Sequence, residues 1–413
     1  MEIKEEIVIV GAGIAGVATA LALKKVGIRS LVLERSDALR TTGAALTLSY
    51  NAWVALDALG VSDKLKTIYS PLEKVSVTNV SNGSVQEIVF PDKNRNMMAP
   101  IPVHRSTLLE TMAQELPDDY IRFTSKLRSI ETLKQEGSTI TTLSLEDGTI
   151  LKAKVVIGCD GVHSEVGRWL GLKDPIYSGR FAVRGLAVYP QGHGLGKEGQ
   201  QFIDGHTRAG IISLNDKEIY WFSLNDSKDE KMTKENPGSI QRSVLEIMAN
   251  FPPIFLDVVQ HSDLSTLSWA PLMLRAPWDV LLHSMYKDNI TVAGDAMHPM
   301  TPDLGQGGCS SLEDAVVLGR HIGNSYVRNG TIDPRALEGY VKERRWRVAL
   351  LISGSYLSGW IQQGGSGWFM KFLRNKVFYK FFPLLTLNIV RYNCGKLPTI
   401  EITAEESITK KTE

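Results

Sequence analysis

The stretch from Ile7 to Gly16, IVIVGAGIAG, decides the fold of this chain. Its β-branched start predicts a buried parallel strand, and the Ala- and Leu-rich residues 14–26 predict a helix directly after it. The glycines Gly11, Gly13 and Gly16 follow the spacing GxGxxG. The first allows a tight turn, the second lets a pyrophosphate approach the backbone, and the third permits close packing of helix on strand. The stretch therefore predicts a dinucleotide-binding βαβ unit.

The second strand of this unit is predicted at residues 30–35, SLVLER, and it ends with the acidic residue Glu34. Glu34 lies 23 residues after Gly11, where a carboxylate can accept hydrogen bonds from both hydroxyls of a ribose. An ordinary glycine turn is the alternative, but the strand, the helix and the acid together favour a cofactor. By themselves these features do not distinguish NAD from FAD. The cofactor-binding residues predicted here are Gly11, Gly13, Ala15, Gly16, Glu34 and Arg35.

Composition narrows the class of protein. The chain has 413 residues, which predicts two or three lobes, and its formal net charge of +1 gives no field to attract nucleic acid. The cysteines Cys159, Cys309 and Cys394 form no CxxC pair, so we expect neither a disulfide framework nor a metal site, and a reducing, cytoplasmic location. The apolar N-terminal run is better explained as the motif's strand and helix than as a signal peptide, and no stretch predicts a transmembrane segment.

A second glycine-rich loop lies in NITVAGDAMHPMTPDLGQGGCSSLEDAVVLG, residues 289–319. A buried strand ends on Gly294, and Pro299 and Pro302 stiffen the loop that leads to the next helix. The glycines of this loop let the backbone approach a flat ring, and the helix N-terminus favours negative charge there. An ordinary strand-to-helix turn is the alternative. The residues predicted to contact the cofactor are Asp295, Pro302, Gly305, Gly307 and Gly308.

Together with VVIGCDGVHSEVGRWLG at residues 155–171 and VHRSTLL around residue 105, these segments resemble the fingerprints of the class A flavoprotein monooxygenases. The closing CGKLP at residues 394–398 resembles the plant members of that family, and TPDLGQGGC at residues 301–309 resembles its urate hydroxylases. The family also has an arginine, often found three residues after the serine of the middle segment, where this chain has Gly167 followed by Arg168.

The resemblance implies FAD as the cofactor and gives individual residues a role. In the family, the DG pair in the segment that matches residues 155–171 contacts both the flavin and the reduced nicotinamide. The aspartate that follows the glycine at position 294 of this chain binds the flavin ribitol, and the arginine of the VHRSTLL segment reaches the cofactor. The matching residues in this chain are Arg105, Asp160, Gly161 and Asp295.

The resemblance and the strand pattern predict an α/β fold. We expect a doubly wound Rossmann-type FAD-binding domain, an inserted and mostly antiparallel β-sheet substrate domain, and a helical C-terminal region. The dipeptides Asn82-Gly83 and Asp147-Gly148 predict hairpin turns. The FAD-binding domain is expected at residues 1–75, 101–178 and 286–345, the substrate domain at residues 76–100 and 179–285, and the helical region at residues 346–413.

The resemblance implies an FAD-dependent monooxygenase. NADH or NADPH would bind transiently and reduce FAD, and O2 would form a flavin C4a-hydroperoxide that hydroxylates or epoxidises a small aromatic or heteroaromatic substrate. An FAD-dependent oxidase, reductase or halogenase is an alternative, although the halogenase signature WxWxIP does not occur. A NAD-dependent dehydrogenase would leave the segments around Asp160 and Asp295 without a role. A flavin-bound protein without catalysis is a further alternative. We expect a monomer or homodimer that binds no nucleic acid.

The substrate site is inferred from the resemblance to urate hydroxylases. In those enzymes an arginine, a tyrosine and an aspartate organise the substrate, and the matching positions, predicted here as catalytic, are Arg208, Tyr220 and Asp303. Asp303 lies in the stiff loop beside the expected flavin ring, where it could accept a proton from a phenol or imide. The first two are twelve residues apart on successive predicted strands, an even spacing that lets both face the same side. The alternatives are a surface arginine, a core tyrosine and a turn-forming aspartate. His163 and His298 are predicted to be structural.

Overall fold

The computed structural model of the chain describes residues 2–39, 45–90, 99–135, 138–226, 236–362 and 388–399. Of the C-terminal region predicted to be helical, residues 363–387 and 400–413 lie outside the described residues. The helix that leads into this region is described up to Gln362.

The strands in chain order are β1 (Glu2–Val10), β2 (Leu31–Leu33), β3 (Ala45–Leu48), β4 (Lys74–Asn79), β5 (Val85–Val89), β6 (Ile101–His104), β7 (Ile121–Arg122), β8 (Leu127–Gln135), β9 (Ser138–Leu145), β10 (Ile150–Gly158), β11 (Ile176–Val188), β12 (Glu198–Asp204), β13 (Thr207–Ser213), β14 (Glu218–Asp226), β15 (Ser268–Leu274), β16 (Tyr286–Lys287) and β17 (Ile290–Val292). The α-helices are α1 (Ile14–Lys25), α2 (Tyr50–Leu59), α3 (Ser62–Ile68), α4 (Arg105–Ala113), α5 (Glu165–Trp169), α6 (Pro237–Ile247), α7 (Pro253–Gln260), α8 (Pro277–Leu282), α9 (Gly307–Asn329) and α10 (Arg335–Gln362).

The first sheet is built around five parallel strands in the order β7-β2-β1-β10-β17. Ile7 of β1 pairs with Val155 of β10, and Val8 pairs with Leu31 of β2. The apolar run of β1 is buried, as expected for a parallel strand between helical layers, and α1 packs against α9 and α4. The hairpin β8–β9 and the short β16 extend this sheet by antiparallel pairing. The predicted Rossmann-type unit is confirmed.

The second sheet has the strand order β15-β11-β14-β13-β12-β4-β5. Its pairs are antiparallel except for β12 with β4, so the prediction of a mostly antiparallel sheet is confirmed. The two predicted hairpins are present as well: residues 82–83 connect β4 with β5, and residues 147–148 connect β9 with β10. The domain boundaries given above stay a prediction.

Side chains alternate between the two faces of the second sheet, as the pleat of a strand requires. One face carries Phe181, Val183 and Trp221 into a core shared with α6 and α7. The opposite face carries Arg184 on β11 and Tyr220 on β14. Tyr220 packs beside Ala45 of β3, so this second face lies toward the cofactor-binding part of the chain.

A fully buried carboxylate connects the glycine-rich loop after β17 to the two long helices α9 and α10. Asp314 of α9 accepts hydrogen bonds from Gly294 N at 2.9 Å, from His298 Nε2 at 2.6 Å and from Arg344 Nε of α10 at 2.7 Å. Burial alone raises the pKa of Asp314, but the charges of His298 and Arg344 outweigh it and lower this pKa to about 2. Because the pKa of Asp314 is lowered, its ionised form stabilises the fold fully at pH values above about 4, the ordinary pKa of an aspartate. This contribution is lost as the pH falls through about 2.

The neighbouring Glu313 extends the buried network. Its Oε2 is 2.7 Å from Arg344 Nη1, and its Oε1 is 2.8 Å from Arg347 Nη2 and accepts a hydrogen bond from Asn51 of α2 at 2.5 Å. Two carboxylates and two guanidinium groups therefore neutralise each other inside the helical layer. Such groups must stay paired, because an isolated buried charge is costly. His298 is part of the same network and is fully buried, which agrees with the prediction of a structural histidine.

Replacing Arg344 by methionine should therefore destabilise the protein severely. The change removes the partner of two buried carboxylates, and a loss of about 3–5 kcal/mol of unfolding free energy is expected. The control is Lys342→Met on the same helix, which removes an exposed cation that pairs with Glu338 across one turn. Thermal unfolding should show a much lower midpoint for Arg344→Met and a nearly unchanged one for Lys342→Met. Equal midpoints for the two variants would contradict a stabilising role of the network.

Candidate functional site

The N-terminus of α1 is shaped to receive a ligand. Gly11 has φ +104°, and a Cβ added there would lie 2.5 Å from the carbonyl oxygen of Cys159. A Cβ at Gly16 would lie 1.9 Å from the oxygen of Gly11, so these two glycines are required by packing of the turn. At Gly13 an added Cβ would meet no described atom within 4 Å. The space in front of Gly13 is thus open, next to helix N–H groups that no described side chain caps.

Glu34 is held at the end of β2 by the turn itself. Its Oε2 accepts a hydrogen bond from Ala12 N at 2.8 Å, and its Oε1 accepts one from Ser36 N at 3.0 Å. An ionised carboxylate has about four acceptor sites, so each oxygen can still accept a ribose hydroxyl. The side chain of Arg35, predicted to contact the cofactor, is exposed beside it.

Asp160 lies directly after β10 and caps the short helix α5. Its Oδ1 accepts a hydrogen bond from Ser164 Oγ at 2.5 Å, and its Oδ2 accepts from Glu165 N at 2.7 Å and Val166 N at 3.2 Å. Burial raises the pKa of Asp160, although these hydrogen bonds act in the opposite direction. Gly161 follows with φ +83° and no described atom within 4 Å of an added Cβ, so the backbone beyond Asp160 is accessible to a ligand.

Local packing explains why this chain has Gly167 where the family often has an arginine. A Cβ at Gly167 would lie 3.1 Å from Ser164 Oγ, which itself accepts a hydrogen bond from Gly167 N. Arg168 donates to the carbonyl oxygen of His163 at 3.0 Å and pairs with Glu165 at 3.0 Å on the exposed side of α5. The arginine of this segment is therefore engaged on the protein surface.

The glycine-rich loop after β17 contacts the GxGxxG turn at the start of α1. Gly294 has φ +60°, and a Cβ there would lie 2.7 Å from Cβ of Ala15, so the two turns meet at van der Waals distance. Asp295 follows with a side chain that is exposed to solvent, yet desolvation by the protein around it raises the pKa of its carboxyl. The charges of His298, Arg105 and Arg184 act in the opposite direction. The structure thus brings Arg105, at the start of α4, into the electrostatic neighbourhood of Asp295.

The loop after Asp295 leads to the N-terminus of α9. Pro302 begins a 3-10 turn, Gly305 has φ +63°, and α9 starts at Gly307 without a described side-chain cap. A Cβ at Gly308 would be 3.4 Å from Leu46 of β3, so the glycines bring the helix end close to that strand. The N-termini of α1 and α9 therefore both present free N–H groups and the positive ends of their dipoles.

Asp303, in the same loop, reaches the second sheet. Arg180 binds both of its oxygens, with Nη1 donating to Oδ1 at 3.1 Å and Nη2 to Oδ2 at 2.7 Å. Nη1 of Arg208 lies 3.6 Å from Oδ1, while its Nε and Nη2 donate to Oε1 of Gln201 at 3.2 and 2.7 Å. The carboxylate is fully buried. A Cβ at Gly359 of α10 would lie 2.5 Å from Oδ2, so α10 packs directly on this cluster.

Of the three predicted substrate residues, Asp303 and Arg208 are thus brought together, and Tyr220 lies apart from them. The register of β13 with β14 pairs Arg208 with Leu224 and Ile212 with Tyr220. Arg208 and Tyr220 therefore face the same side, as expected, but four residues of strand separate them, which is about 13 Å. Tyr220 is buried, and burial raises the pKa of its hydroxyl.

Sequence reasoning missed Arg180 and Arg184, which lie on the same face of the second sheet. The segment RFAVRGLAV does alternate, with arginine at positions 180 and 184 and apolar side chains at positions 181 and 183. This period of two was a usable signal for two cations on one face of a strand. The buried pairing of Arg344 with Glu313 and Asp314 was also missed.

The residues present fit FAD. The open space at Gly13, the carboxylate of Glu34 and the accessible backbone at Gly161 follow one another along the carboxyl ends of β1, β2 and β10, where doubly wound folds bind their ligands. Asp295 continues this line beyond the end of β17. Fold and site together define an FAD-dependent oxidoreductase.

Comparison with known proteins narrows this class. A family model described as "FAD binding domain" matches residues 4–355. Monooxygenase 2 of Arabidopsis thaliana is 40% identical over 406 residues, which cover 95% of this chain and 98% of that protein. An FAD-dependent urate hydroxylase of Mycolicibacterium vanbaalenii is 26% identical over 318 residues, covering 76% of this chain and 78% of the relative. The chain belongs to the FAD-dependent monooxygenases, enzymes that use NAD(P)H as reductant.

Solved structures agree on the fold. The crystal structure of Klebsiella pneumoniae HpxO with FAD and uric acid superposes with a TM-score of 0.79 at 24% identity, covering 94% of this chain and 96% of that chain. Among the described residues, no helix is both long and apolar enough to cross a membrane. The same residues contain no group of three or more His, Cys, Asp or Glu side chains placed to hold a metal ion.

Gly13→Val should separate cofactor binding from folding. Because an added side chain at Gly13 meets only open space, the flavin-free variant should unfold at the wild-type temperature. The branched side chain would occupy the space of the pyrophosphate, so the purified variant should lose most of its FAD. The control is Gly16→Ala, whose Cβ clashes with the Gly11 carbonyl and should lower the unfolding temperature of the flavin-free protein. Flavin absorbance and thermal unfolding measure both effects. A Gly13→Val protein with a full complement of FAD would contradict the site.

Proposed function

We propose that the protein inserts one oxygen atom into a small aromatic or heteroaromatic compound bound between the Asp295 loop and the arginine-bearing face of the second sheet. The observation that carries this proposal is the position of Asp303. The loop that carries Asp295 reaches Asp303 eight residues later, and Asp303 forms a buried ion pair with Arg180 of β11. One short segment therefore connects the cofactor side to the second sheet, so a substrate lying beside it would be close to the flavin.

FAD, when bound, accepts two electrons from NADH or NADPH and is the centre that reacts with O2. The overall reaction consumes one NAD(P)H, one O2 and one proton, and one oxygen atom enters the substrate while the other leaves as water. The contribution of the chain is to bind, to orient and to exclude water. Arg105 and Asp295 would hold the cofactor, and the rings of Tyr220 and Phe222, whose centroids are 6.2 Å apart, would form an apolar wall for the substrate.

We assign Asp303 a positioning role. Both of its oxygens are engaged by Arg180, and its Oδ1 also lies near Arg208, so accepting a substrate proton would require breaking a buried ion pair. Asp303 accepts two hydrogen bonds from Arg180 and places a negative charge beside Arg208, which donates two hydrogen bonds to Gln201. The guanidinium of Arg208 lies 6.0 Å from the ring of Phe222. This arrangement favours an arginine that is oriented for a planar substrate.

The relatives support a planar, heteroaromatic substrate class. Proteins similar to this chain include FAD-dependent urate hydroxylases, and HpxO was crystallised with uric acid. We propose a compound of similar size for this chain, acted on in the cytoplasm by a monomer or homodimer. The test is a panel of phenols, indoles and purines, in which a substrate should accelerate NAD(P)H oxidation and yield a product with one added oxygen atom. A panel member that accelerates NAD(P)H oxidation but yields only hydrogen peroxide would not count as a substrate, and peroxide alone from all members would contradict the proposal.

Asp303→Asn tests the positioning role. The change removes the negative charge that faces both Arg180 and Arg208, so we expect a lower unfolding temperature and a strong loss of product per NAD(P)H consumed. The second variant is Asp303→Asn combined with Arg180→Gln, which removes the excess positive charge. This double variant should regain thermal stability while product formation stays low, because Arg208 has lost the carboxylate beside it. Wild-type product yield in Asp303→Asn would remove Asp303 from the proposal.

A further inference from the structure

The second half of α10 exposes a row of apolar side chains, which we call the α10 apolar face. Its members are between 46% and 66% exposed, and they are Trp346, Leu350, Tyr356, Leu357 and Trp360. Four of them are spaced four, seven and three residues apart, so they follow one line along the helix. In the first half of α10 the same line carries the exposed cations Arg335 and Lys342, as is usual for a surface helix. A contiguous exposed apolar patch of this kind marks an interaction site.

The opposite side of α10 is already occupied by the protein. Val348 and Ile352 are fully buried in the core beneath the helix, and Gly359 packs on the ion pair of Asp303 with Arg180. The helix is therefore apolar on its outer side as well as on its inner side, and the outer side is open to solvent. The neighbouring α8, which packs against α10, has two exposed apolar side chains of its own, Trp278 at 57% and Leu282 at 79%.

The charge beside the α10 apolar face is positive. Arg345 directly precedes Trp346 and forms neither a hydrogen bond nor an ion pair with any residue that the structure describes. Lys342, one turn before Trp346, is exposed and pairs with Glu338. Glu338 is thereby neutralised, and Arg345 adds a positive charge next to the first aromatic side chain of the face.

The sequence around this face is basic, although the whole chain is nearly neutral. Residues 344–400 contain nine lysines and arginines and no aspartate or glutamate, whereas the formal net charge of the chain is +1. Arg344 and Arg347 are balanced by the buried Glu313 and Asp314 of α9. The remaining seven cations have no acid in this stretch of the sequence to balance them.

These features fit the surface of an anionic lipid bilayer better than a second copy of the chain. Tryptophan and tyrosine are favoured at the boundary between lipid headgroups and acyl chains, and anionic headgroups attract lysine and arginine. A symmetric contact between two copies would instead bring two basic surfaces together, and lysine is depleted in protein interfaces. Charge complementarity therefore favours lipid.

We propose that the α10 apolar face is a membrane-binding surface, which inserts its aromatic and leucine side chains between the headgroups of an anionic phospholipid bilayer. The helix lies along the bilayer surface, because its inner side belongs to the protein core. Arg345 and Lys342 lie at the level of the headgroups, where their charges meet the lipid phosphates. Binding at this surface is independent of the substrate and of the reaction.

The experiment measures binding of the FAD-loaded full chain to lipid vesicles by co-sedimentation, at low and at high salt. Vesicles of phosphatidylcholine alone are compared with vesicles that also contain phosphatidylserine. The first variant combines Leu350→Glu with Leu357→Glu, the second combines Leu350→Gln with Leu357→Gln, and the third is Arg345→Gln. The matched control is Leu133→Glu, which changes a leucine on β8 that is 55% exposed. FAD content and unfolding temperature are measured for every variant.

Wild-type protein should bind the anionic vesicles at low salt, and high salt or the absence of phosphatidylserine should weaken binding by roughly tenfold or more. The double glutamate variant should weaken binding to anionic vesicles by at least about tenfold, because two leucines no longer enter the apolar layer. The double glutamine variant should show the same direction without the added negative charge. Arg345→Gln should weaken binding to anionic vesicles by about fivefold and leave binding to phosphatidylcholine unchanged. Leu133→Glu should bind like wild type.

The absence of binding to either kind of vesicle would overturn the inference. Vesicle binding that both double variants leave unchanged would assign the contact to another part of the chain and would overturn it as well. Sedimentation equilibrium without lipid tests the second copy: a wild-type dimer that the double glutamate variant converts into a monomer would make this face a dimer interface instead. If the double glutamate variant loses FAD or unfolds at a lower temperature, the double glutamine variant and Arg345→Gln decide the outcome.

Discussion

The buried carboxylate of Asp314 is the contact on which the functional part of the molecule depends. It has no access to water, so it must be paired, and its partners come from the loop at Gly294, from His298 and from α10. Satisfying this one charge fixes the turn that leads into Asp295 and the position of α10 against α9. The cofactor loop is therefore held by a charge balance inside the helical layer, away from the ligand itself.

Helix α10 contacts both the Asp314 network and the ion pair at the second sheet. Arg344 in its first half binds Asp314, and Gly359 near its end packs on the pair of Asp303 with Arg180. The loop between Asp295 and α9 is thus fixed at both ends, and the second sheet is fixed against it. This arrangement suits a flavin enzyme, in which the cofactor performs the redox chemistry and the protein supplies orientation and electrostatics.

The fold was predictable where local sequence determines local structure, and the site only in part. The GxGxxG turn depends on contacts that only glycine permits, and the hairpins at residues 82–83 and 147–148 depend on turn residues, so both could be identified. The pairing of Asp314 with Arg344 joins residues 30 apart on two helices, and no local pattern encodes it. The even spacing of Arg208 and Tyr220 was enough to predict that both face the same side of the sheet. The distance between them depends on the register of β13 with β14, which the spacing does not determine.

The central claim, that this site inserts an oxygen atom from O2 into an organic substrate, is tested most directly with oxygen-18 gas. A compound that stimulates NAD(P)H oxidation is converted under labelled O2 in unlabelled water, and the product is examined by mass spectrometry. We expect a product that carries one labelled oxygen atom, with the second labelled atom in water. A product without label, or label recovered only as hydrogen peroxide, would contradict the account and indicate an oxidase built on the same fold.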